Sequence, residues 1–163
     1  MWRNDPDTIR RVLDLPIWAV VGLSNDASRP SYGVAQWLQQ HGRRVVPVSP
    51  RGGTILGERA YPSLAEAADA TDGPIDVVDV FRRSDSAGVH ADEALAIGAR
   101  AVWFQLGVVD EAAAARVTAA GVDMVRTPAR ASRRPGSAGG PAEEVCGLGV
   151  SRASGQPPEP LRG

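Results

Sequence analysis

The sequence has 163 residues, 43% of them hydrophobic and 23% charged, which is the composition of one ordinary globular domain. No apolar run approaches the roughly 20 residues that span a bilayer, and the acidic N-terminus lacks the apolar core of a signal peptide. A single cysteine excludes an internal disulfide framework, and two histidines without a spaced ligand cluster predict no metal site. Together these features predict a cytoplasmic protein.

Charge is unevenly distributed along the chain, although the formal net charge is only −1. Residues 1–125 contain 12 arginines and 16 acidic residues, a net charge of −4, whereas residues 126–163 contain 6 arginines and 3 glutamates, a net charge of +3. All 18 basic residues are arginine. Arginines scattered through a mildly acidic region do not form the basic stripe of a nucleic-acid-binding surface, so no nucleic-acid partner is expected.

Short apolar strands alternate with helices over the first 125 residues. A helix is predicted at 6–13, capped by Asn4 or Asp5, and further helices at 31–41, 63–69, 85–97 and 110–120. The strands are predicted at 17–23, 44–48, 75–81, 101–105 and 122–125. Suitable caps frame the helices, namely Ser63, Asp110, Gly42, Gly98 and Gly121. Alternating strands and helices indicate an α/β fold, an open parallel sheet with helices on both faces.

The first strand runs through a polar loop into a helix, and this unit predicts a phosphate site. Gly22 permits close approach of the backbone, and Ser24 and Ser31 supply hydroxyl groups. Arg29 can form a forked contact with phosphate. The N-terminus of the following helix carries partial positive charge and open N–H donors. We therefore expect a phosphorylated, nucleotide-like ligand.

Three other loops follow strands and should meet the first at the same edge of the sheet. The second contains Pro50 and Arg51, the third Phe81 with Arg82 and Arg83, and the fourth Gln105 and Gly107. Of the adjacent arginines, one is expected in the site and the other paired with an acid. Gly22 and Gly107 are equally well explained as turn glycines, and both histidines, His41 and His90, as structural residues.

Two sequence features of NAD-binding proteins are missing from these loops, and their absence narrows the class of ligand. The first loop is not Gly-x-Gly-x-x-Gly, and the second strand ends in Ser-Pro-Arg instead of the acid that NAD binders place on the ribose. NAD is therefore disfavoured, and a ligand with an additional ribose phosphate, coenzyme A (CoA) or NADP, fits better. No nucleophile–base–acid set or carboxylate pair is present in the pattern, so no catalytic residue is predicted.

Several motifs in order resemble the family of small stand-alone CoA-binding domains, which are similar to the N-terminal CoA-binding domain of the succinyl-CoA synthetase α subunit. They include WAVVGLS at 18–24, RPSYGV at 29–34, RVVPVSPRG at 44–52, DVVDVFRR at 76–83 and AVWFQLGVV at 101–109. The resemblance implies a Rossmann-like five-stranded sheet with CoA bound across the strand-end loops. The contacts that it implies are Gly22, Ser24, Arg29, Ser31, Pro50, Arg51, Phe81, Arg82, Gln105 and Gly107.

The resemblance also bears on activity. Ligase relatives transfer a phosphoryl group through a histidine in a separate segment and need a further nucleotide-binding domain, whereas neither histidine of this chain follows that pattern. We expect a protein that binds CoA or acyl-CoA without catalysis of its own. Two alternatives remain: an NADP-dependent oxidoreductase in which Arg51 binds the 2′-phosphate, and a regulatory interaction module for an acyl-CoA enzyme. The sequence names no protein partner.

Residues 126–163 differ in character from the rest, being rich in proline, glycine, serine and arginine, and this composition predicts a disordered tail. The family normally continues with Asp-x-Cys-Pro-x-Ile-Glu. The segment 127–133, TPARASR, can be encoded so that a frame moved by one base reads DPCPRIE. We interpret residues from about Arg126 as a frameshift product, the alternative being a genuine low-complexity tail. Sequencing the coding strand of the gene tests this interpretation, because absence of DPCPRIE in the shifted frame would exclude the frameshift.

Overall fold

The computed structural model describes residues 5–105 and 108–127, so the predicted tail lies almost entirely outside the described residues. Within them the helices are α1 (Pro6–Leu13), α2 (Pro30–Gln40), α3 (Leu64–Ala70), α4 (Ser84–Ala96) and α5 (Glu111–Ala119). The strands are β1 (Ile17–Val21), β2 (Arg44–Val48), β3 (Thr54–Ile55), β4 (Glu58–Arg59), β5 (Val77–Val80), β6 (Ala101–Phe104) and β7 (Asp123–Arg126). No helix of the described part is long and apolar enough to cross a membrane.

Five of the strands form one parallel sheet in the order β2-β1-β5-β6-β7. At its centre Val20 of β1 pairs with Asp79 of β5, which in turn pairs with Trp103 of β6. Along the chain, β2 is added to one side of β1, and β5, β6 and β7 are then added in turn on the other side. The connections therefore diverge between β1 and β5, and a crevice opens there beyond the carboxyl ends of the strands. The predicted α/β, Rossmann-like fold is confirmed.

Each face of the sheet carries its own apolar core. Trp18 and Val20 of β1 belong to the core that α1 and α2 cover, whereas Ala19 and Val21 belong to the core under α3, α4 and α5. All four side chains are buried. Burial on both faces explains why these strands are continuous apolar runs and do not alternate with polar residues.

The helix ends follow the capping pattern expected from the sequence. Asp5, Ser63 and Asp110 precede α1, α3 and α5, and each side chain accepts a backbone N–H from the residue three positions later, at 2.9 to 3.2 Å. The glycines after three helices adopt the left-handed conformation with φ of 75° or 77°, and these are Gly42, Gly98 and Gly121.

A small hairpin between β2 and α3 was not predicted. Its strands β3 and β4 have two residues each and pair antiparallel through Thr54–Arg59 and Ile55–Glu58. The turn residues Leu56 and Gly57 both have positive φ, 51° and 78°, as a two-residue type I′ turn requires. Leucine is an unusual residue in that conformation, and its side chain packs against the core of α1 and α2.

Candidate functional site

A cleft of about 490 Å³ lies beyond the carboxyl ends of β1, β2 and β5, where the strand connections diverge. Its walls come from the β1–α2 loop, the β2–β3 loop, the hairpin and the residue after Phe81. The lining residues are Gly22, Leu23, Ser24, Asn25, Asp26, Arg29, Ser49, Pro50, Arg51, Gly52, Ile55 and Arg82.

Six of the ten residues singled out from the sequence lie around this cleft. Three of them are the arginines at 29, 51 and 82, which reach it from three different strand-end loops. The other three are Gly22, Ser24 and Pro50. Three arginines that line one concave surface can bind an anion, because arginine binds phosphate through forked, charge-assisted hydrogen bonds.

The floor of the cleft is bare backbone at Gly22. This residue has a φ of 87°, and a Cβ placed on it would lie 2.7 Å from the carbonyl oxygen of Phe81 and 3.5 Å from Nε of Arg82. Its N–H donates to the carbonyl of Val48 at 3.0 Å, which ties the ends of β1 and β2 together. A side chain at this position is therefore excluded, and the cleft is lined there by main chain.

The β1–α2 loop is fixed by its own polar side chains. The carboxylate of Asp26 accepts hydrogen bonds from the backbone N–H of Ser28 at 3.0 Å and from its hydroxyl at 2.5 Å. Ser24 Oγ accepts the N–H of Asp26 at 3.2 Å. The hydroxyl and N–H of Ser28, followed by Arg29, lower the pKa of Asp26 below its usual range. Arg29 is the N-cap of α2 but makes no side-chain cap, and its side chain lines the cleft with Nε 3.6 Å from Asp26 Oδ2.

The hairpin forms a wall of the cleft and is attached at two points. Asn25 Nδ2 donates to the carbonyl of Thr54 at 2.9 Å, and Gln39 Nε2 of α2 donates to the carbonyl of Leu56 at 3.1 Å. Ile55, between them, lines the cleft and is buried. Sequence reasoning missed Ile55 because strands of two residues show no periodicity.

Of the other four predicted contacts, three do not line the cleft. Ser31 is buried in the first turn of α2, and Phe81 packs half-buried against the core of α1 and α2. Gln105 is 8% exposed, donating from Nε2 to Asp79 at 2.7 Å and accepting at Oε1 from the Thr127 hydroxyl at 3.1 Å. Both ends of its amide are thus engaged within the protein. Gly107 lies outside the described residues.

Asp79 is a buried carboxyl group that was not among the residues singled out from the sequence. It stands in the apolar run of β5 with zero exposure, and its Oδ2 has no hydrogen-bond partner among the described residues. Burial raises the pKa of Asp79 to about 8, and the hydrogen bond from Gln105 only partly offsets this effect. The polar chain continues through Gln105 to Thr127, whose hydroxyl also accepts the indole N–H of Trp103 at 3.0 Å.

The remaining candidate residues lie away from the cleft. Arg83 is exposed at the N-cap of α4 and forms no ion pair with a described residue, so the expected acid partner is not found. His41 stacks on Trp37 with ring centroids 3.9 Å apart, and His90 contacts Glu93 at 3.1 Å. Both histidines therefore have structural neighbours.

Fold and cleft define a Rossmann-like α/β domain with an arginine-lined crevice at the divergence of its strand connections. Residues 17–129 match the model of the CoA-binding domain family, and the chain belongs to this family, as the resemblance predicted. The chain is 43% identical over 95 residues to the uncharacterised protein YneT of Bacillus subtilis, an alignment covering 58% of this chain and 67% of YneT.

Solved structures of the same size have the same fold. The PH1109 protein redesigned for binding is 29% identical, with a TM-score of 0.74 over 93% of this chain and 97% of that one. A hypothetical protein from Pyrococcus horikoshii is 28% identical, with a TM-score of 0.69 over 79% of this chain and 93% of that one. A Thermus thermophilus protein is 32% identical with a TM-score of 0.67, covering 76% and 91% of the two chains.

Proposed function

We propose that this chain binds CoA or an acyl-CoA in the cleft and performs no catalysis of its own. Membership of the CoA-binding domain family supports the ligand. The observation that carries the proposal is the convergence of Arg29, Arg51 and Arg82 over the bare backbone of Gly22. The single cysteine and the ligand itself support the cytoplasm as its compartment.

The donor set fits the phosphates of CoA. CoA carries a pyrophosphate and a separate ribose phosphate, and its thiol carries the acyl group. Arg29 and Arg82 would hold the pyrophosphate above the main chain of Gly22, because the Arg82 guanidinium group lies beside that glycine. Arg51, after the end of β2, would hold the ribose phosphate. Ser31, Phe81, Gln105 and Gly107 remain predicted contacts, and Gln105 would have to exchange a protein hydrogen bond for one with the ligand.

The chemistry of the lining supports binding and not turnover. The described cleft residues include no histidine or cysteine and a single carboxylate, Asp26, which is hydrogen-bonded to Ser28. A general base or nucleophile with a partner to activate it is not assembled there. This chain alone would therefore bind CoA without catalysing a reaction at its thiol.

NADP is the second candidate, and Arg51 is the observation that favours it. An arginine after the second strand of a Rossmann-like sheet can bind a ribose 2′-phosphate. The two ligands share this feature, so the lining does not separate them, and NADPH serves as the parallel ligand in the test below.

Calorimetric titration of the full chain with CoA and with NADPH tests the proposal. We expect CoA to bind and Arg82→Ala to weaken it by about 10- to 100-fold, since hydrogen bonds to charged groups contribute about 1.5–3 kcal/mol. Arg83→Ala is the matched control, because this exposed neighbour does not line the cleft. Binding of NADPH alone would refute the CoA proposal, and equal affinities for Arg82→Ala and the unaltered chain would refute this site.

A further inference from the structure

A single carboxylate lies among the three arginines of the cleft. Asp26 Oδ2 is 3.6 Å from Nε of Arg29, and the two side chains are 53% and 66% exposed. The hydrogen bonds from Ser28 fix the carboxylate in this position and lower its pKa, so the group is negatively charged at neutral pH. Arg29 therefore has a counterion before any ligand arrives.

This arrangement opposes a second anion at the same place. A phosphate that approaches Arg29 must share it with Asp26 and is repelled by the fixed carboxylate at close range. The repulsion grows with the negative charge that the ligand places beside Arg29. Solvent weakens the repulsion but does not abolish it, because Asp26 and Arg29 are only partly exposed. Arg51 and Arg82 have no such partner among the described acids.

We propose that Asp26 is a specificity residue of the cleft, acting as the built-in counterion of Arg29 and disfavouring small, highly charged anions such as inorganic pyrophosphate. The proposal rests on the proposed function, because it assumes a phosphate-bearing ligand in this cleft. The pyrophosphate of CoA is esterified at both ends and carries less charge than inorganic pyrophosphate, and the third phosphate of CoA would lie at Arg51, so CoA is penalised less beside Arg29.

The test compares Asp26→Asn with the unaltered full chain in calorimetric titrations with inorganic pyrophosphate and with CoA. Asparagine keeps an oxygen that accepts the N–H of Ser28, so the loop retains its turn. We expect pyrophosphate to bind about tenfold more tightly to the variant and CoA to gain clearly less. In a variant with unchanged Tm, the proposal would be overturned by equal gains for the two ligands. It would also be overturned if pyrophosphate bound no more tightly, or less tightly, than to the unaltered chain.

Two further variants distinguish an effect of the Asp26–Arg29 pair from an effect of net charge alone. Asp72→Asn makes the same charge change in the exposed loop before β5, at the opposite end of the sheet, and should leave both affinities unchanged. In an Arg29→Gln background the gain from Asp26→Asn should shrink, because part of it comes from releasing that arginine. An undiminished gain in this background would show that Asp26 does not act through Arg29.

The outcomes distinguish this role from the proposed function. If the unaltered chain does not bind CoA, yet pyrophosphate binds more tightly to Asp26→Asn, the counterion role stands and the CoA proposal fails. If CoA binds the unaltered chain and Asp26→Asn brings no gain for pyrophosphate, the counterion role alone fails.

Discussion

Asp79 shows how one buried side chain can make the stability of this domain depend on pH. Burial raises its pKa to about 8 in the folded protein, from an ordinary value of 3.8. Between those pH values the folded state binds a proton that the unfolded state has lost. The free energy of unfolding should therefore fall as the pH rises from about 4 through 8, and the contribution of the protonated acid is lost above that range.

The variant Asp79→Asn should flatten this part of the pH profile. Asparagine keeps an oxygen for the hydrogen bond from Gln105 but cannot ionise, so its advantage in stability over the unaltered chain should grow as the pH rises from about 4 to 8 and level off above that range. Denaturant unfolding at a series of pH values measures the effect, with the exposed Asp72→Asn as the control that should follow the unaltered chain. Parallel profiles for Asp79→Asn and the unaltered chain would contradict the assignment.

Single residues of the site were partly predictable. Strand ends and their arginines can be identified from the sequence, because parallel strands place their carboxyl-terminal loops together. Whether a polar side chain in such a loop faces the cleft depends on one or two dihedral angles. Ser31 and Gln105 are therefore buried outside the cleft lining although they belong to predicted strand-end segments, and Asp79 was hidden within a run of apolar residues.

At the scale of elements, one wall of the cleft depends on the stability of the small hairpin. It is only four strand residues around the turn at Leu56 and Gly57, yet it contributes Ile55 to the cleft and is bonded to the loop at Asn25. An isolated two-stranded hairpin is marginal in water. Its attachments to α2 and to the β1–α2 loop therefore hold this wall in place.

Gly57→Ala should loosen that wall. Nothing lies within 4 Å of a Cβ at Gly57, so the cost is the φ of 78° alone, about 1 kcal/mol. We expect faster amide exchange in residues 53–60 and CoA binding weakened by about threefold or more. Gly98→Ala is the matched control, since its φ is 77°, its surroundings are equally open and it lies after α4, away from the cleft. Equal CoA affinities for the two variants would argue against a role of the hairpin in binding.

The larger elements were predicted because several independent signals agree for each of them. The predicted helix at 6–13 and strand at 44–48 have the observed bounds, and the others differ by one or two residues at their ends. The hairpin escaped prediction for two physical reasons. Strands of two residues have no measurable periodicity, and Leu56 occupies a turn position where asparagine, aspartate or glycine is the usual signal.

At the scale of the molecule, binding in the cleft should stabilise the whole sheet. The lining residues come from the ends of β1, β2 and β5, the three adjacent strands that pair along most of their length. A ligand that binds only the folded state adds about 2.7 kcal/mol at a concentration 100 times its Kd. CoA at that excess should raise the Tm of the unaltered chain.

The same concentration of CoA should give a smaller shift with Arg82→Ala, because it is only about 1 to 10 times the Kd of that variant. Thermal unfolding followed by circular dichroism makes the comparison, with Arg83→Ala expected to shift like the unaltered chain. Equal shifts in all three would mean that CoA stabilises the fold from somewhere other than this cleft.

The glycine floor also limits the ways in which mutation can change what this protein binds. At Gly22 any side chain would meet the carbonyl of Phe81, so that position is closed to substitution in a folded descendant. The rim is different, because Asp26, Arg29 and Arg51 are exposed and can change without disturbing the strands. We therefore expect new ligand preferences to arise from changes in the charged residues of the rim, while the floor at Gly22 stays the same.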